Sequence, residues 1–95
     1  MIEIRTFRLT PDADEAAFLA ADHRFQTDFA YQQAGLLRRT TARGGDGTWV
    51  IIDLWRSDAD ADAAEEKFGH DPTTTPYLSF IDAASVRTDR YTTLD

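Results

Sequence analysis

The sequence predicts an α+β fold built on a four-stranded antiparallel sheet, and three observations predict it. The stretches MIEIRTFRL near the start and VRTDRYTTL near the end carry strand-like alternation or strand-forming residues. Two intervening stretches have helical spacing behind capping residues. Between those helices, LLRRTTAR and TWVIIDLW are joined by the flexible turn GGDG, as in a hairpin.

Taken in order, residues 2 to 9 alternate, with Ile2 and Ile4 on one face, Glu3 and Arg5 on the other, then Phe7 and Leu9. Thr10 and Pro11 end this first strand. Asp12 followed by Glu15 has capping-box spacing, so the first helix is predicted to start there and to run to Gly35. Phe18, Phe25 and Phe29 fall at i, i+7 and i+11 on it, a single stripe that packs on a sheet. At roughly 100° per residue, Asp22 lies about 40° from that stripe and Gln26 about 80°, both near the core, while His23 lies about 140° away.

The hairpin of strands two and three follows. Ser57 caps a second, Ala-rich helix, DADADAAEEKFG, that stops at Gly69. HDPTTTP is a loop, Thr75 and Pro76 start a short third helix in PYLSFIDAA, and the last strand closes the chain. The order β-α-β-β-α-β with one extra short helix is that of a ferredoxin-like split βαβ fold, in which the first and third strands are central.

Ninety-five residues make one domain, residues 1–95. A hydrophobic content of 42%, with six Phe, three Tyr and two Trp, is that of a folding chain. The net charge of -7 repels phosphate backbones and anionic bilayers, so neither nucleic acid nor membrane is an expected partner. The absence of cysteine removes disulfides, thiolate nucleophiles and Cys-based metal sites. The N-terminus is a charged strand rather than an apolar signal segment, which makes the cytoplasm the expected location. Nine of the ten basic residues are Arg, and Asn is absent.

WVIIDLW, Trp49 to Trp55, has large apolar residues at odd and even positions alike. A sheet with both helices on one side leaves its other face bare, and alternate residues of this strand would make that face an apolar patch. A second copy of the chain, packed sheet to sheet about a two-fold axis, is the expected cover.

Asp53 shares a strand face with Trp49, Ile51 and Trp55, where a carboxylate must be paired, protonated or set in a polar cavity. It is either a general base or substrate anchor, or half of a salt bridge with an arginine on a neighbouring strand, such as Arg5 or Arg38, or with one across the dimer. Asp22 and Gln26, one turn apart, offer an acceptor and an amide to a phenol or carbonyl under the first helix, or are simply solvated at its rim. Trp55 and Tyr77 are an aromatic wall for a flat ligand, or packing. His70, at the start of the HDPTTTP loop, is a pocket edge or a solvated loop residue. His23 points to solvent. Neither histidine has a metal-ligand partner at helical spacing, so no metal site is expected. The run Thr73 to Thr75 has no phosphate-cradle glycines beside it.

Three stretches, MIEIRTFRL, GLLRRTTAR and IIDLWRSDADADAAEEKF, the last with a strand ending in Trp before a capped helix, resemble the dimeric α+β barrel superfamily. Within it the chain is most similar to the antibiotic biosynthesis monooxygenase-like proteins. The resemblance covers the whole chain as an order of elements. It implies a homodimer and a pocket between the first helix and the sheet, and it brings two kinds of activity into view: oxidation of polycyclic phenols without a cofactor, and haem degradation. In the first, the deprotonated substrate is itself the electron donor to dioxygen, and the protein binds, orients and stabilises an anion. Members of both kinds typically place an Asn in the pocket, which this chain lacks. Of the haem-degrading set of Asn, Trp and a second-helix His, only Trp55 and His70 have a counterpart, and His70 lies beyond Gly69. Together, the residues and the resemblance leave as one expectation a cofactor-free oxygenase with Asp53 and Asp22 as catalytic carboxylates, and with Gln26, Trp55, Tyr77 and His70 around a small aromatic substrate. Its alternative is a small-molecule-binding or structural homodimer of the same fold without chemistry.

Overall fold

The computed structural model describes all 95 residues. The strands are β1 (Ile2–Phe7), β2 (Leu36–Arg43), β3 (Trp49–Trp55) and β4 (Arg87–Tyr91); the helices are α1 (Glu15–Asp28), α2 (Asp58–Phe68) and the short α3 (Thr75–Leu78). The sheet order is β2-β3-β1-β4 and every neighbouring pair is antiparallel, so β1 and β3 are central as the topology predicts.

Several boundaries differ from the sequence expectation. Helix α1 is capped by Asp14, whose side chain accepts from the Ala16 amide, rather than by Asp12. It ends at Asp28, and a 3₁₀ turn (Ala30–Gln32) carries the chain toward Gly35 at φ +86°. Strand β1 stops at Phe7, beyond which Leu9 makes an isolated bridge to Ile81. The PYLSFIDAA segment is helical only through Leu78 and closes in a 3₁₀ turn at Ala83–Ser85. Helix α2 keeps its predicted cap, with Ser57 Oγ accepting from the Asp60 amide. The β2–β3 turn closes through Gly47 at φ +84°.

The helices cover one face of the sheet. Trp49, Ile51, Asp53 and Trp55 point into it and are all buried, whereas Val50, Ile52 and Leu54 point outward. In β1 the charged residues are the inward ones: Glu3 is 4% exposed, and Arg5 and Phe7 share its face, while Ile2 and Ile4 lie half-buried outside. Two apolar clusters form beneath the helices. Phe18 of α1 anchors one, edge-on to Phe7 and Trp49 with ring centroids 5.9 and 5.0 Å away. Trp55 anchors the other against Ala61 and Ala64 of α2. The gap between the two clusters holds the candidate site. No helix is long and apolar enough to cross a membrane.

Candidate functional site

One row of the sheet crosses the floor of that gap. Arg39 pairs in register with Asp53, Asp53 with Glu3, and Glu3 with Arg90, so the inner face carries cation, anion, anion, cation across four strands. The outer members do not share themselves evenly. Arg90 donates to Glu3 at 2.9 Å and to Asp62 of α2 at 2.7 Å. Arg5 lies 3.7 Å from Glu3 and 3.6 Å from Glu65. Glu3 is therefore matched by two guanidinium groups.

Arg39 turns away from its in-register neighbour. Its Nη2 donates to Asp22 Oδ1 at 2.7 Å and approaches the Tyr77 hydroxyl at 3.4 Å, and its Nη1 donates to Gln26 Oε1 at 3.1 Å and to Thr41 Oγ1 at 3.2 Å. Thr41 in turn donates to Asp22 Oδ2 at 2.7 Å. The guanidinium also lies over the Phe25 ring, 5.2 Å from its centroid. Burial works against the Arg39 charge, but the Asp22 hydrogen bond and charge outweigh it and hold its pKa above the ordinary value. Asp22, expected as a second catalytic carboxylate, has both oxygens committed to this buried pair, and Gln26, expected to hold a substrate, holds Arg39.

Asp53 is left without a partner. It is 9% exposed, and its buried Oδ1 accepts no hydrogen bond. The salt bridge expected from Arg5 or Arg38 does not form. Arg38 sits on the outer face opposite Leu54, and the Arg5 guanidinium is engaged by Glu3, Glu65 and the Thr88 hydroxyl. Burial pushes the Asp53 carboxyl up to about 6, against the pull of Arg39 and Arg5. Two residues along the same strand face, the buried Trp55 Nε1 likewise has no acceptor.

Asp53 and Trp55 both line a cavity that holds about 500 Å³ of atom-free space, open mouth included. Its walls are Phe25 of α1, Phe29 at the end of that helix, Phe68 of α2 and Tyr77 of α3, and Glu3, Arg5 and Arg39 reach it from the sheet. Phe25 stacks on Tyr77 with centroids 4.3 Å apart and planes 9° apart, which makes one wall flat. Burial lifts the Tyr77 hydroxyl to about 12 despite the nearby Arg39, so it stays protonated at neutral pH.

The structure thus brings Asp53, Trp55 and Tyr77 together, with Asp22 and Gln26 one layer behind them through Arg39. His70, expected at the pocket edge, is exposed in the turn after α2 and does not line the cavity, because α2 ends at Phe68 and the chain turns outward there. His23 is exposed as periodicity predicts. No group of three or more His, Cys, Asp or Glu side chains is gathered to hold a metal ion. Sequence reasoning missed Glu3, Arg39 and Phe68. Glu3 and Arg39 carried a signal, a charge at an inward strand position, that becomes visible only once the register is known.

No protein-family model matches the sequence, and comparison with curated proteins finds none that is similar. Solved structures do match. A cofactor-independent oxygenase from Streptomyces nogalater, SnoaB, superposes with a TM-score of 0.77 at 21% identity, over 99% of this chain and 92% of that one. The fold is that of the antibiotic biosynthesis monooxygenase-like proteins. A candidate antibiotic biosynthesis monooxygenase from Nitrosomonas europaea matches with a TM-score of 0.75 at 18% identity, over 99% and 98% of the two chains. Another from Caulobacter crescentus matches at 0.77 and 13%, over 99% and 89%. A further solved structure of SnoaB carries an asparagine-to-alanine substitution; this chain has no Asn.

Proposed function

We propose that the cavity is the active site of a cofactor-independent oxygenase acting on a small aromatic hydroxyl compound. The observation that carries this reading is the unpartnered Asp53 carboxylate, buried and facing an aromatic-walled space. A carboxyl with a pKa near 6 is ionised at neutral pH yet basic enough to take a phenolic proton, which is how a general base is matched to its task. The anion formed is stabilised by neutral donors already in place, the Trp55 indole N–H and the Tyr77 hydroxyl, and by the Arg39 charge. It then supplies the electrons to dioxygen. For a phenol going to a quinone, one oxygen atom enters the ring as the new carbonyl and the other leaves as water. Asp22 and Gln26 act as positioning groups that fix Arg39. The likeness to SnoaB supports this chemistry as a starting point.

The alternative is a binding or structural homodimer without chemistry, and the Asp22–Arg39 pair favours it to the extent that one of the two candidate carboxylates is spent on architecture. Oxygen uptake with a panel of hydroquinones and naphthols separates the two. The oxygenase reading expects turnover that rises with pH through about 6, as Asp53 ionises, and falls on the order of a hundredfold or more in Asp53→Asn. Absence of uptake across the panel, or equal rates in the variant, leaves the binding module.

A further inference from the structure

We infer that the cavity selects a positively charged ligand, a single aromatic ring carrying a protonated amine, with the ammonium seated on Asp53. The inference rests on the placement of the ligand in this cavity, as in the proposed function, and is independent of the oxygen chemistry.

Arg39 is matched by Asp22 at 2.7 Å, with side chains 2% and 8% exposed. Arg90 and Arg5 reach Glu3 from two sides, and Arg5 and Arg90 also meet Glu65 and Asp62 of α2. The three arginines around the cavity are thus balanced or outnumbered by Asp22, Glu3, Glu65 and Asp62 before Asp53 is counted. Asp53 adds one further negative charge, with a buried oxygen that accepts no hydrogen bond from the protein. An ionised carboxylate with no counter-charge in a low-dielectric site is costly, and a ligand that brings the missing positive charge removes that cost.

The walls favour the same ligand. The faces of aromatic rings attract cations, and the protein already uses this locally, since the Arg39 guanidinium lies over Phe25 and Tyr77. Phe29, Phe68 and Trp55 offer further aromatic surface to the same space. An anion would instead meet an uncompensated carboxylate. A carboxylate has about four lone-pair sites, so Asp53 can hold an ammonium and still accept a hydrogen bond from a neighbouring hydroxyl of the same ligand.

Three ligands of nearly one shape and different charge test this: benzylamine, benzyl alcohol and benzoate, each titrated against the full-length protein by the fluorescence of its tryptophans. At pH 7.5 benzylamine should bind at least tenfold tighter than benzyl alcohol, with benzoate weakest. That advantage should shrink to less than threefold in Asp53→Asn, and in the wild type at pH 5, where Asp53, with its carboxyl pushed up to about 6, is mostly protonated. Equal binding of the amine and the alcohol, a preference for benzoate, or an amine preference untouched in Asp53→Asn overturns the inference. The wild-type comparison does not depend on the variant folding. If phenols consume oxygen and benzylamine does not bind, the inference fails and the oxygenase reading stands; benzylamine binding without any oxygen uptake gives the reverse.

Discussion

Asp53 shows how one residue can serve a site at the expense of the fold. Its pKa rises from 3.8 to about 6 because burial disfavours the charge. The folded protein therefore holds a proton that the unfolded chain releases between those two values. By linkage, the stability contribution of this group is highest below pH 4, falls as pH rises through about 6, and stays low above it. Two pKa units amount to at most about 3 kcal/mol at neutral pH. Asp53→Asn removes the charge and keeps the shape, so it should stabilise the protein by about 1–3 kcal/mol at pH 7.5, with the gain gone at pH 4. Urea unfolding of both proteins at the two pH values measures this. A variant less stable than the wild type at pH 7.5 would mean that the carboxylate has found a partner in solution. The contrast with Asp22 is instructive, because that carboxylate, equally buried, has Arg39 and Thr41 on its two oxygens. Removing a partner from such a pair costs rather than gains.

The way two acidic residues come to such different ends is decided at the level of the elements, by a bulge. Between Leu36 and Arg38, strand β2 carries one residue more than its partner, so that Leu36 faces Trp55 and Arg38 faces Leu54. Were Leu37 paired in regular register from Leu36 onward, Arg38 would lie inward opposite Asp53; with Leu37 bulged out, Arg38 goes outside and Arg39 comes in, within reach of α1. The sequence named Arg38 because alternation alone has no sign for an inserted residue. What was legible were the features with local causes: the strand and helix order, the Ser57 cap, the Phe stripe on α1 and the inward face of β3. Glu3 and Arg39 were not, because their meaning depends on pairing with residues about 50 and 14 positions away, a matter of register. The segment leading into β2 is pinned as well. Gly35 sits at φ +86°, and a Cβ added there would come within 2.6 Å of the Asp60 Cβ, on the helix whose cap Asp60 completes with Ser57 and Arg56. Gly35→Ala should therefore cost about 2 kcal/mol or more, beyond the usual cost of a left-handed backbone alone. Thermal unfolding checks this, and a loss under about 0.5 kcal/mol would show that the α2 start yields freely.

For the molecule as a whole, the question raised by WVIIDLW now has a geometric form. Its odd positions are buried under the helices, whereas Val50, Ile52 and Leu54 lie on the outer face beside Ile2 and Ile4 of β1 in direct register, with Tyr91 next to Ile2 on β4. Ile52 is 38% exposed and Tyr91 52%. Only 16 of 95 residues are buried, which suits a two-layer protomer whose second sheet face is left to be covered. We propose that a second copy of the chain covers it, sheet to sheet about a two-fold axis, because an apolar centre flanked by Arg38, Arg87 and Asp89 can pair with its own rotated image. The register separates this reading from simple core packing. Ile52→Asp places a charge at the middle of the proposed interface without touching the protomer core, and it should yield a folded chain of monomer mass by sedimentation. Ile51→Asp, one residue away but 3% exposed beside Phe18 and Tyr77, should instead fail to fold, since nothing there can pair with the new carboxylate. If the wild type sediments as a single chain, or Ile52→Asp keeps the mass of a dimer, the outer face is not the interface. A monomeric Ile52→Asp that still binds benzylamine would place the whole site within one protomer, as the cavity lining requires, and would leave the dimer to cover the sheet.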